Sequence, residues 1–257
     1  MPSTDLRAEL EVATEAAWRA GRVTLGYFQT GLVPDLKADQ SPVTAADREA
    51  EATIRQYLEQ AYPEDGILGE EGGEREGRSG RRWVIDPIDG TKSFVQGVPL
   101  YGVLIGLEVE GEAAVGAVHL PALDEMVCAA RGLGCWWNGR RSNVSKVAVL
   151  DQACVCYTSS RSFAEQGRAA ALQRIASSVR LLRGWGDCYG HILVATGRAE
   201  AMLDPVMNPW DCAPLLPILQ EAGGTFTDWQ GRATIHGGDA VATNGRLRDA
   251  ILSSLGS

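Results

Sequence analysis

The spacing of apolar residues predicts two helices near the start of the chain. Between Asp5 and Phe28, apolar side chains recur three or four positions apart, as they do along one face of an amphipathic helix. A second stretch with this period begins at Thr44 and carries Ile54 and Leu58 on its apolar face. We therefore expect two amphipathic helices in the first quarter of the chain.

Shorter apolar runs predict strands in the middle of the chain. Trp83 to Ile85 has the character of a buried strand, which should end at Asp86. The runs Gly102 to Glu108 and Ala113 to His119 flank a turn and predict an antiparallel meander. By contrast, we expect the charged stretch from Arg75 to Arg82 to be mobile.

The pattern changes after residue 146. Short strands then alternate with helical stretches, which is typical of an α/β arrangement, whereas residues 1–146 combine helices with an antiparallel sheet. No internal repeat or low-complexity linker separates the two parts. We expect residues 1–257 to form one unit, in which an N-terminal α+β half (1–146) and a C-terminal α/β half (147–257) share a cleft.

Composition and charge exclude several classes of protein. The chain has 257 residues, 45% of them hydrophobic, which suits a globular protein with a sizeable core. Its formal net charge of -9 argues against nucleic acid as a partner, because nucleic acid requires a basic surface. The sequence has neither a long apolar run nor a signal-peptide pattern, so we expect a cytoplasmic protein with no membrane partner.

Cysteine and histidine chemistry is also disfavoured. The six cysteines contain no Cys-x-x-Cys pair, and we expect them to be reduced and mostly buried. The three histidines show no paired His/Cys spacing, which argues against a zinc site. Any metal would have to be held by oxygen ligands.

The candidate chemistry centres on the segment Asp86 to Thr91, whose sequence is Asp-Pro-Ile-Asp-Gly-Thr. Pro87 restricts its own backbone and that of Asp86, so a rigid turn could aim the carboxylates of Asp86 and Asp89 at one point. Gly90 permits a close backbone approach, and its amide could bind an anion if a helix begins at the next residue. Taken alone, the same residues are also typical of an ordinary surface turn.

Other carboxylates could reach the same cleft, although each has a purely structural alternative. They are Asp47 (part of a capping box), Glu70 (a solvated acid), Asp187 and Asp211 (helix caps) and Asp204 (a loop acid after a strand). As a set they offer only oxygen ligands, which Mg²⁺ prefers and which it shares with phosphate oxygens. The set therefore predicts a magnesium site for a small phosphorylated metabolite.

These motifs resemble those of a known family. Gly69 to Glu71, Trp83 to Phe94 and Trp210 to Gly224 are similar, in order and spacing, to the signature segments of the inositol monophosphatase superfamily of Mg²⁺-dependent phosphomonoesterases. The segment from Gly186 to Gly190 most resembles the histidinol-phosphate phosphatase branch. The resemblance implies a mixed α/β fold, namely the layered αβαβα sandwich of the inositol monophosphatase and fructose-1,6-bisphosphatase type, and a single catalytic unit.

The resemblance also implies roles for individual residues. Ligands of two to three Mg²⁺ ions would be Glu70, Asp86, the Ile88 carbonyl, Asp89 and Asp211. The catalytic residues would be Asp47 and Thr91, which orient the attacking water, and Glu70, beside a third and weaker ion. The phosphate would be bound by the amides of Gly90 and Thr91. The substrate pocket would be lined by Asp187, Ser160 and Asp204, the last of which contacts the leaving group.

The implied reaction is hydrolysis of a phosphate monoester by in-line attack of a metal-activated water, without a phosphoenzyme. Asp187 and Asp204 favour histidinol phosphate, which carries cationic groups, over inositol phosphate, which offers only neutral hydroxyls. An inositol-1-monophosphatase or a related small-metabolite phosphatase is the alternative within the family, and a non-catalytic regulator that binds a phosphorylated metabolite is the alternative of another class. The resemblance further implies inhibition by Li⁺ and a homodimer.

Overall fold

A computed structural model gives the structure of residues 5–37 and 42–256. The helices in this part are α1 (Arg7–Tyr27), α2 (Ala45–Ala61), α3 (Thr91–Val95), α4 (Ser160–Glu165), α5 (Ala169–Ser178), α6 (Asp187–Ala195), α7 (Pro209–Cys212), α8 (Leu215–Glu221) and α9 (Arg248–Leu255). The strands are β1 (Asp35–Leu36), β2 (Pro42–Val43), β3 (Gly66–Gly69), β4 (Gly73–Arg75), β5 (Arg81–Asp89), β6 (Gly102–Val109), β7 (Glu112–Leu120), β8 (Glu125–Ala130), β9 (Gly134–Trp137), β10 (Arg140–Arg141), β11 (Cys154–Tyr157), β12 (Leu181–Arg183), β13 (Ala201–Asp204), β14 (Thr225–Thr227) and β15 (Ala240–Thr243).

The strands form two main sheets. The larger one has eight strands in the order β10-β9-β8-β7-β6-β5-β3-β4, and its neighbours are antiparallel except for β3 and β5. The smaller one has the order β12-β11-β13-β15-β14, with β11 parallel to both of its neighbours and β15 antiparallel to both of its own. The predicted meander and the α/β character of the second half are therefore confirmed.

The two sheets and the helices stack in five layers. Helices α1 and α2 cover one face of the larger sheet, and α6, α7 and α8 lie between the two sheets. Helices α4, α5 and α9 pack on the outer face of the smaller sheet, together with the apolar side chains of β11, β13 and β15. This arrangement is the αβαβα sandwich that was expected from the resemblance.

The alternation of side chains along β5 places the first candidate ligand in the middle layer. Trp83 and Ile85 belong to the core beneath α1 and α2, whereas Val84 belongs to the core between the sheets. Because successive side chains of a strand point to opposite faces, Asp86 lies on the same face as Val84. Asp86 is therefore directed toward the layer that contains α6, α7 and α8.

Two sequence predictions about this strand are wrong. The strand does not end at Asp86 but continues to Asp89. The C-terminal end of the stretch predicted to be mobile is anchored instead, because Arg81 lies in β5 and contacts both Glu9 and Asp65, with nitrogen-oxygen distances of 2.8 and 2.9 Å. The charge of the stretch was evident from the sequence, but its distant partners were not.

Other predictions hold. Helix α2 follows Thr44 as its N-cap, and all six cysteines are free thiols, five of them buried. Among the described helices, none is both long enough and apolar enough to cross a membrane. The division of the chain into halves at residue 146 stays a prediction, although it falls between the last strand of the larger sheet and the first strand of the smaller one.

Candidate active site

The end of β5 is held as a rigid turn by a bulge and two hydrogen bonds. Asp86 pairs with Leu104 of β6, whereas Asp89 pairs with Gly102, so three residue steps on β5 oppose two on β6. The amide of Ile88 donates to Asp86 Oδ1 at 2.9 Å, and Thr91 Oγ1 donates to the Ile88 carbonyl at 3.0 Å. Because of the bulge, the side chain of Asp89 is directed toward the same side of the strand as Asp86.

Gly90 links this turn to helix α3. Its φ of 82° lies in the left-handed region, and a Cβ there would come within 3.1 Å of the Leu100 carbonyl oxygen and 3.2 Å of Asp187 Oδ2. Because α3 begins at Thr91, the amides of Gly90 and Thr91 lie at a helix N-terminus, where backbone donors lack partners within the helix. This placement suits their predicted role as phosphate donors.

Asp211 is brought to the turn by helix α7. It occupies the third helical position, and its Oδ2 accepts a hydrogen bond of 2.7 Å from the amide of Asn208, the N-cap residue. The chain after α7 lies directly on the larger sheet, since a Cβ on Gly116 would be 2.1 Å from the Pro214 carbonyl oxygen. Asp211 therefore completes a capping box and also faces the end of β5.

Three carboxylates converge as a result. Oxygen atoms of Asp86, Asp89 and Asp211 all lie within 4.8 Å of one another. Burial, followed by the charges of Glu70, Asp89 and Asp211, raises the pKa of Asp86 well above its ordinary value. Burial also raises the pKa of Asp211 to about 7. These carboxylates repel one another in a poorly solvated place, so a bound cation would stabilise their ionised forms.

Glu70 and Glu71 already share a cation from the protein. The ammonium of Lys37 lies 2.7 Å from Glu70 Oε1 and 2.6 Å from Glu71 Oε1. Burial lowers the pKa of Lys37, but its hydrogen bonds to the two glutamates outweigh this and raise that pKa above its ordinary value. Glu70 is thus ion-paired and not freely solvated, and it remains a candidate metal ligand. The ammonium of Lys37 supplies positive charge beside this group of acids.

Asp47 combines its structural role with a free acceptor atom. Its Oδ2 accepts hydrogen bonds from the amide and the hydroxyl of Thr44, at 2.7 and 2.6 Å, which forms the predicted capping box. Its Oδ1 is buried and has no hydrogen-bond partner in residues 5–37 and 42–256. Thr91 hydrogen bonds to Ile88, so the predicted cooperation of Asp47 with Thr91 stays a prediction.

The predicted substrate acids line a small cavity of about 80 Å³ beside the three carboxylates. Its lining consists of Asp89, Thr158, Asp187, Cys188, Asp204, Val206, Met207, Asp211 and Leu215. Ser160 is exposed at the start of α4 and does not contribute to this lining. The group from this segment that reaches the cavity is Thr158.

Asp187 and Asp204 are neither helix caps nor exposed loop acids. Asp187 has a φ of 53° and makes no side-chain capping bond at the start of α6. Asp204 is 4% exposed at the end of β13, and burial raises its pKa to about 7. The next residue after Asp187 also contacts the turn from Asp86 to Thr91, since the amide of Cys188 donates to Asp89 Oδ2. The cavity is therefore continuous with the carboxylate cluster.

A buried histidine lies behind Asp204. His191 has no exposed surface, and its Nε2 is 3.5 Å from Asp204 Oδ2, too far for a well-formed hydrogen bond. Burial lowers the pKa of His191 to about 3, although the charge of Asp187 opposes this. The imidazole is therefore neutral, and it does not compensate the charge of Asp204.

A larger cavity lies elsewhere, but it lacks this chemistry. It has a volume of about 360 Å³ and is bordered by Arg131, Gln220 and His236 on the far side of α8. It contains no cluster of convergent carboxylates. We assign the active site by its donor groups rather than by cavity size.

Comparison with known proteins agrees with this geometry. The model of the family described as "Inositol monophosphatase family" matches residues 5–256. The chain belongs to the inositol monophosphatase family. It is 44% identical to a histidinol-phosphatase of Chlorobaculum parvum, covering 97% of both chains, and 33% identical to an inositol-1-monophosphatase of Mesorhizobium japonicum, covering 96% of both. The solved structure of the extragenic suppressor protein SuhB from Bartonella henselae matches with a TM-score of 0.91 at 30% identity, covering 97% of this chain and 99% of that one.

Membership of the inositol monophosphatase family confirms the predicted fold and reaction class. The chain is a metal-dependent phosphomonoesterase of this family. The residues present fit a hard divalent cation, because the ligands are oxygens alone, three of them converge, and burial together with their negative charges raises the pKa of Asp86. The roles predicted for individual residues stay predictions.

Sequence reasoning missed three residues of the site, Lys37, Thr158 and His191. Lys37 directly follows the short strand β1, and nothing in the sequence pairs it with glutamates 33 and 34 positions later. Thr158 directly follows the strand β11, so its place at a strand end was the available signal. His191 lies in an apolar helix, where a buried histidine is usually structural.

Proposed function

We propose that this protein hydrolyses histidinol phosphate to histidinol and inorganic phosphate in a Mg²⁺-dependent reaction. The observation that carries the proposal is the pair of acids, Asp187 and Asp204, in the cavity beside the metal-binding carboxylates. Neither acid forms an ion pair with a lysine or arginine in the described part of the chain. A substrate whose leaving group is cationic would supply the missing positive charge.

The proposed metal site uses ligands from three parts of the chain. Asp86 and Asp89 come from the end of β5, Asp211 comes from α7, and Glu70 follows β3. We assign two to three Mg²⁺ ions to Glu70, Asp86, Asp89, Asp211 and the Ile88 carbonyl. Bound Mg²⁺ supplies neutralisation of the phosphoryl charge and activation of water.

The other residues of the site bind the phosphate and take up a proton. The amides of Gly90 and Thr91, at the start of α3, would donate to phosphate oxygens and fix the phosphoryl group in line with the attacking water. Asp47 Oδ1 is the acceptor that remains free for a proton of that water, because Oδ2 is committed to Thr44. A reaction of this kind requires no side-chain nucleophile.

The leaving group would lie against the two acids and the apolar wall of the cavity. Val206 and Met207 line the cavity next to Asp204, and Val206 is half exposed. An amino alcohol that carries an imidazole matches this combination of negative charge and apolar surface. Inositol offers only hydroxyl groups and would not favour the ionised form of Asp187 and Asp204, whose pKa values are raised by burial.

A phosphate-release panel tests the proposal. The purified protein would be assayed with histidinol phosphate, inositol 1-phosphate, fructose 1,6-bisphosphate and adenosine bisphosphate, with and without Mg²⁺. We expect kcat/KM to be highest for histidinol phosphate and activity to disappear in EDTA. Faster turnover of an inositol phosphate would instead favour the inositol-1-monophosphatase alternative, for which the 33% identity to the Mesorhizobium japonicum protein is the weaker support.

The same panel separates an enzyme from a regulator. A non-catalytic protein that only binds a phosphorylated metabolite would release no phosphate from any substrate at any Mg²⁺ concentration. Inhibition by millimolar Li⁺, the homodimer and the cytoplasmic location stay predictions. Li⁺ titration of the activity and light scattering of the purified protein test the first two.

A further inference from the structure

Thr158 connects the two acids of the substrate cavity. Its Oγ1 donates to Asp204 Oδ2 at 2.8 Å and accepts from the amide of Asp187 at 2.9 Å. A hydroxyl group has a single proton, so the direction of this chain of hydrogen bonds is fixed from Asp187 through Thr158 to Asp204. One side chain therefore contacts both residues, through the carboxylate of Asp204 and the backbone amide of Asp187.

The hydroxyl of Thr158 restrains the side chain of Asp204. The backbone of Asp204 is held by pairing with Ala240 in β15, and its carbonyl accepts from Trp229 Nε1 at 3.1 Å. With the backbone fixed, rotation of the carboxylate is what decides where its oxygens point. The hydrogen bond from Thr158 determines that rotation.

One oxygen of the Asp204 carboxylate is already hydrogen bonded, which leaves the other oxygen free to bind a ligand. Oδ2 is occupied by Thr158 and faces the neutral, fully buried ring of His191. Oδ1 accepts no hydrogen bond from the described residues, and Asp204 lines the cavity. A cationic group in the cavity would therefore meet Oδ1.

At Asp187 the same hydroxyl anchors a strained backbone. Asp187 has a positive φ, a conformation that costs free energy for any residue with a Cβ. Its amide is held by Thr158, and its Oδ2 is directed toward Gly90. The strained backbone at Asp187 thus brings a second carboxylate to the boundary between the turn at Gly90 and the substrate cavity.

We propose that Thr158 is a positioning residue for substrate specificity, which holds Asp187 and Asp204 as a pair that binds the cationic part of the leaving group. This inference rests on the proposed function. Thr158 would not act on the phosphoryl group, because its contacts are with the two acids and not with the described carboxylates of the metal cluster. Its loss should therefore impair recognition of the leaving group and spare phosphate binding.

The experiment compares Thr158→Val, which removes the hydroxyl at nearly constant volume, with Thr158→Ser, which keeps it. Thr225→Val is the matched control, because it removes a partly buried threonine hydroxyl whose partner is Thr243, on the smaller sheet away from the cavity. Thermal denaturation would establish that all three variants are folded. Kinetics would be measured with histidinol phosphate and inositol 1-phosphate, and inhibition with histidinol and inorganic phosphate.

We expect Thr158→Val to lower kcat/KM for histidinol phosphate roughly 10- to 100-fold, mainly through KM, as for loss of a hydrogen bond to a charged group. The inhibition constant of histidinol should rise by a similar factor, while that of inorganic phosphate and kcat/KM for inositol 1-phosphate should change less than about threefold, because phosphate binding is separate. Thr158→Ser and Thr225→Val should both resemble the wild type. Equal losses for both substrates, or no loss for either, would overturn the inference.

The proposed function is tested separately, by the substrate preference of the wild-type protein. If the wild type prefers inositol 1-phosphate, the proposed function is wrong, and calorimetric binding of histidinol to wild type and Thr158→Val then decides the inference alone. Weaker binding of histidinol to Thr158→Val than to the wild type would support it. Histidinol that binds both proteins equally, or neither, would overturn it.

Discussion

The metal turn, from Asp86 to Thr91, and the substrate cavity lie side by side but are built differently. Within the turn, two ligands, a proline and a glycine are neighbours in sequence, and a single bulge in β5 arranges them. In the cavity, Thr158 follows β11, Asp187 begins α6 and Asp204 ends β13. The reaction chemistry is therefore encoded locally, whereas recognition of the leaving group depends on tertiary structure.

The two regions also differ in how their negative charge is compensated. The carboxylates near the turn have the ammonium of Lys37 beside Glu70, and their geometry suits metal ions. Among residues 5–37 and 42–256, neither acid of the cavity is ion-paired with a lysine or arginine: Asp204 has a hydroxyl and a neutral imidazole beside it, and Asp187 is influenced by the charge of Lys92 without contacting it. We infer that the metal turn serves any phosphate monoester, while the cavity selects a cationic leaving group.

The largest expected effect comes from the metal turn. Asp89→Asn should lower kcat by roughly a thousandfold or more for every phosphate monoester, because a ligand charge is lost. The fold should remain intact, since the asparagine oxygen can still accept from the amide of Cys188. Steady-state assays at saturating Mg²⁺ and circular dichroism would measure the two quantities. Near-normal turnover would remove Asp89 from the metal site.

A smaller but selective effect is expected from the cavity. Asp204→Asn should lower kcat/KM for histidinol phosphate roughly 100-fold, because the cationic group loses its charged partner. The same variant should lose less than about fivefold on inositol 1-phosphate, since a neutral hydroxyl can still hydrogen bond to the amide. The ratio of the two values of kcat/KM is the decisive measurement. An unchanged ratio would mean that Asp204 does not discriminate between leaving groups.

The same contrast explains how much could be predicted from the sequence. Pro87 and Gly90 indicated that Asp86 and Asp89 could converge, although the bulge that brings them together was not predicted, and the layered fold followed from the family resemblance. Thr158 could not be found in this way, because its role depends on the parallel pairing of β11 with β13, which places it next to Asp204. The local sequence is enough to predict the turn, but it does not predict how separate strands such as β11 and β13 are aligned.

The neutral state of His191 predicts a pH dependence of stability that belongs to the cavity. The pKa of His191 is lowered from 6.5 to about 3 by burial, and Asp187, Asp204 and Phe226 are the groups that face its ring. Between these pH values the unfolded state binds one more proton than the folded state. The stability contributed by neutral His191 is complete above pH 6.5 and is lost as the pH falls, by at most about 1.4 kcal/mol per pH unit.

His191→Gln should remove this slope, because glutamine does not titrate. Urea denaturation at saturating Mg²⁺ would be followed in both proteins from neutral pH downward, so that the shared contribution of the carboxylates cancels in the comparison. We expect the free energy of unfolding of the wild type to fall more steeply than that of the variant. Equal slopes would show that the folded protein protonates His191, and the imidazole would then be a partner of Asp204 after all.

The smallest expected effect concerns the stability of the metal turn without metal. Asp86, Asp89 and Asp211 repel one another there, so replacing one of them with a neutral amide should stabilise the metal-free protein. We expect metal-free Asp89→Asn to unfold at a temperature a few degrees above that of the metal-free wild type, equivalent to about 1 kcal/mol for a chain of this size. Added Mg²⁺ should reverse the order, because it binds more tightly to the protein that retains the full set of ligands and therefore stabilises that protein more. If Mg²⁺ raised both melting temperatures equally, the cation would be binding outside this cluster, and the contrast between a metal turn and a metal-free cavity would no longer hold.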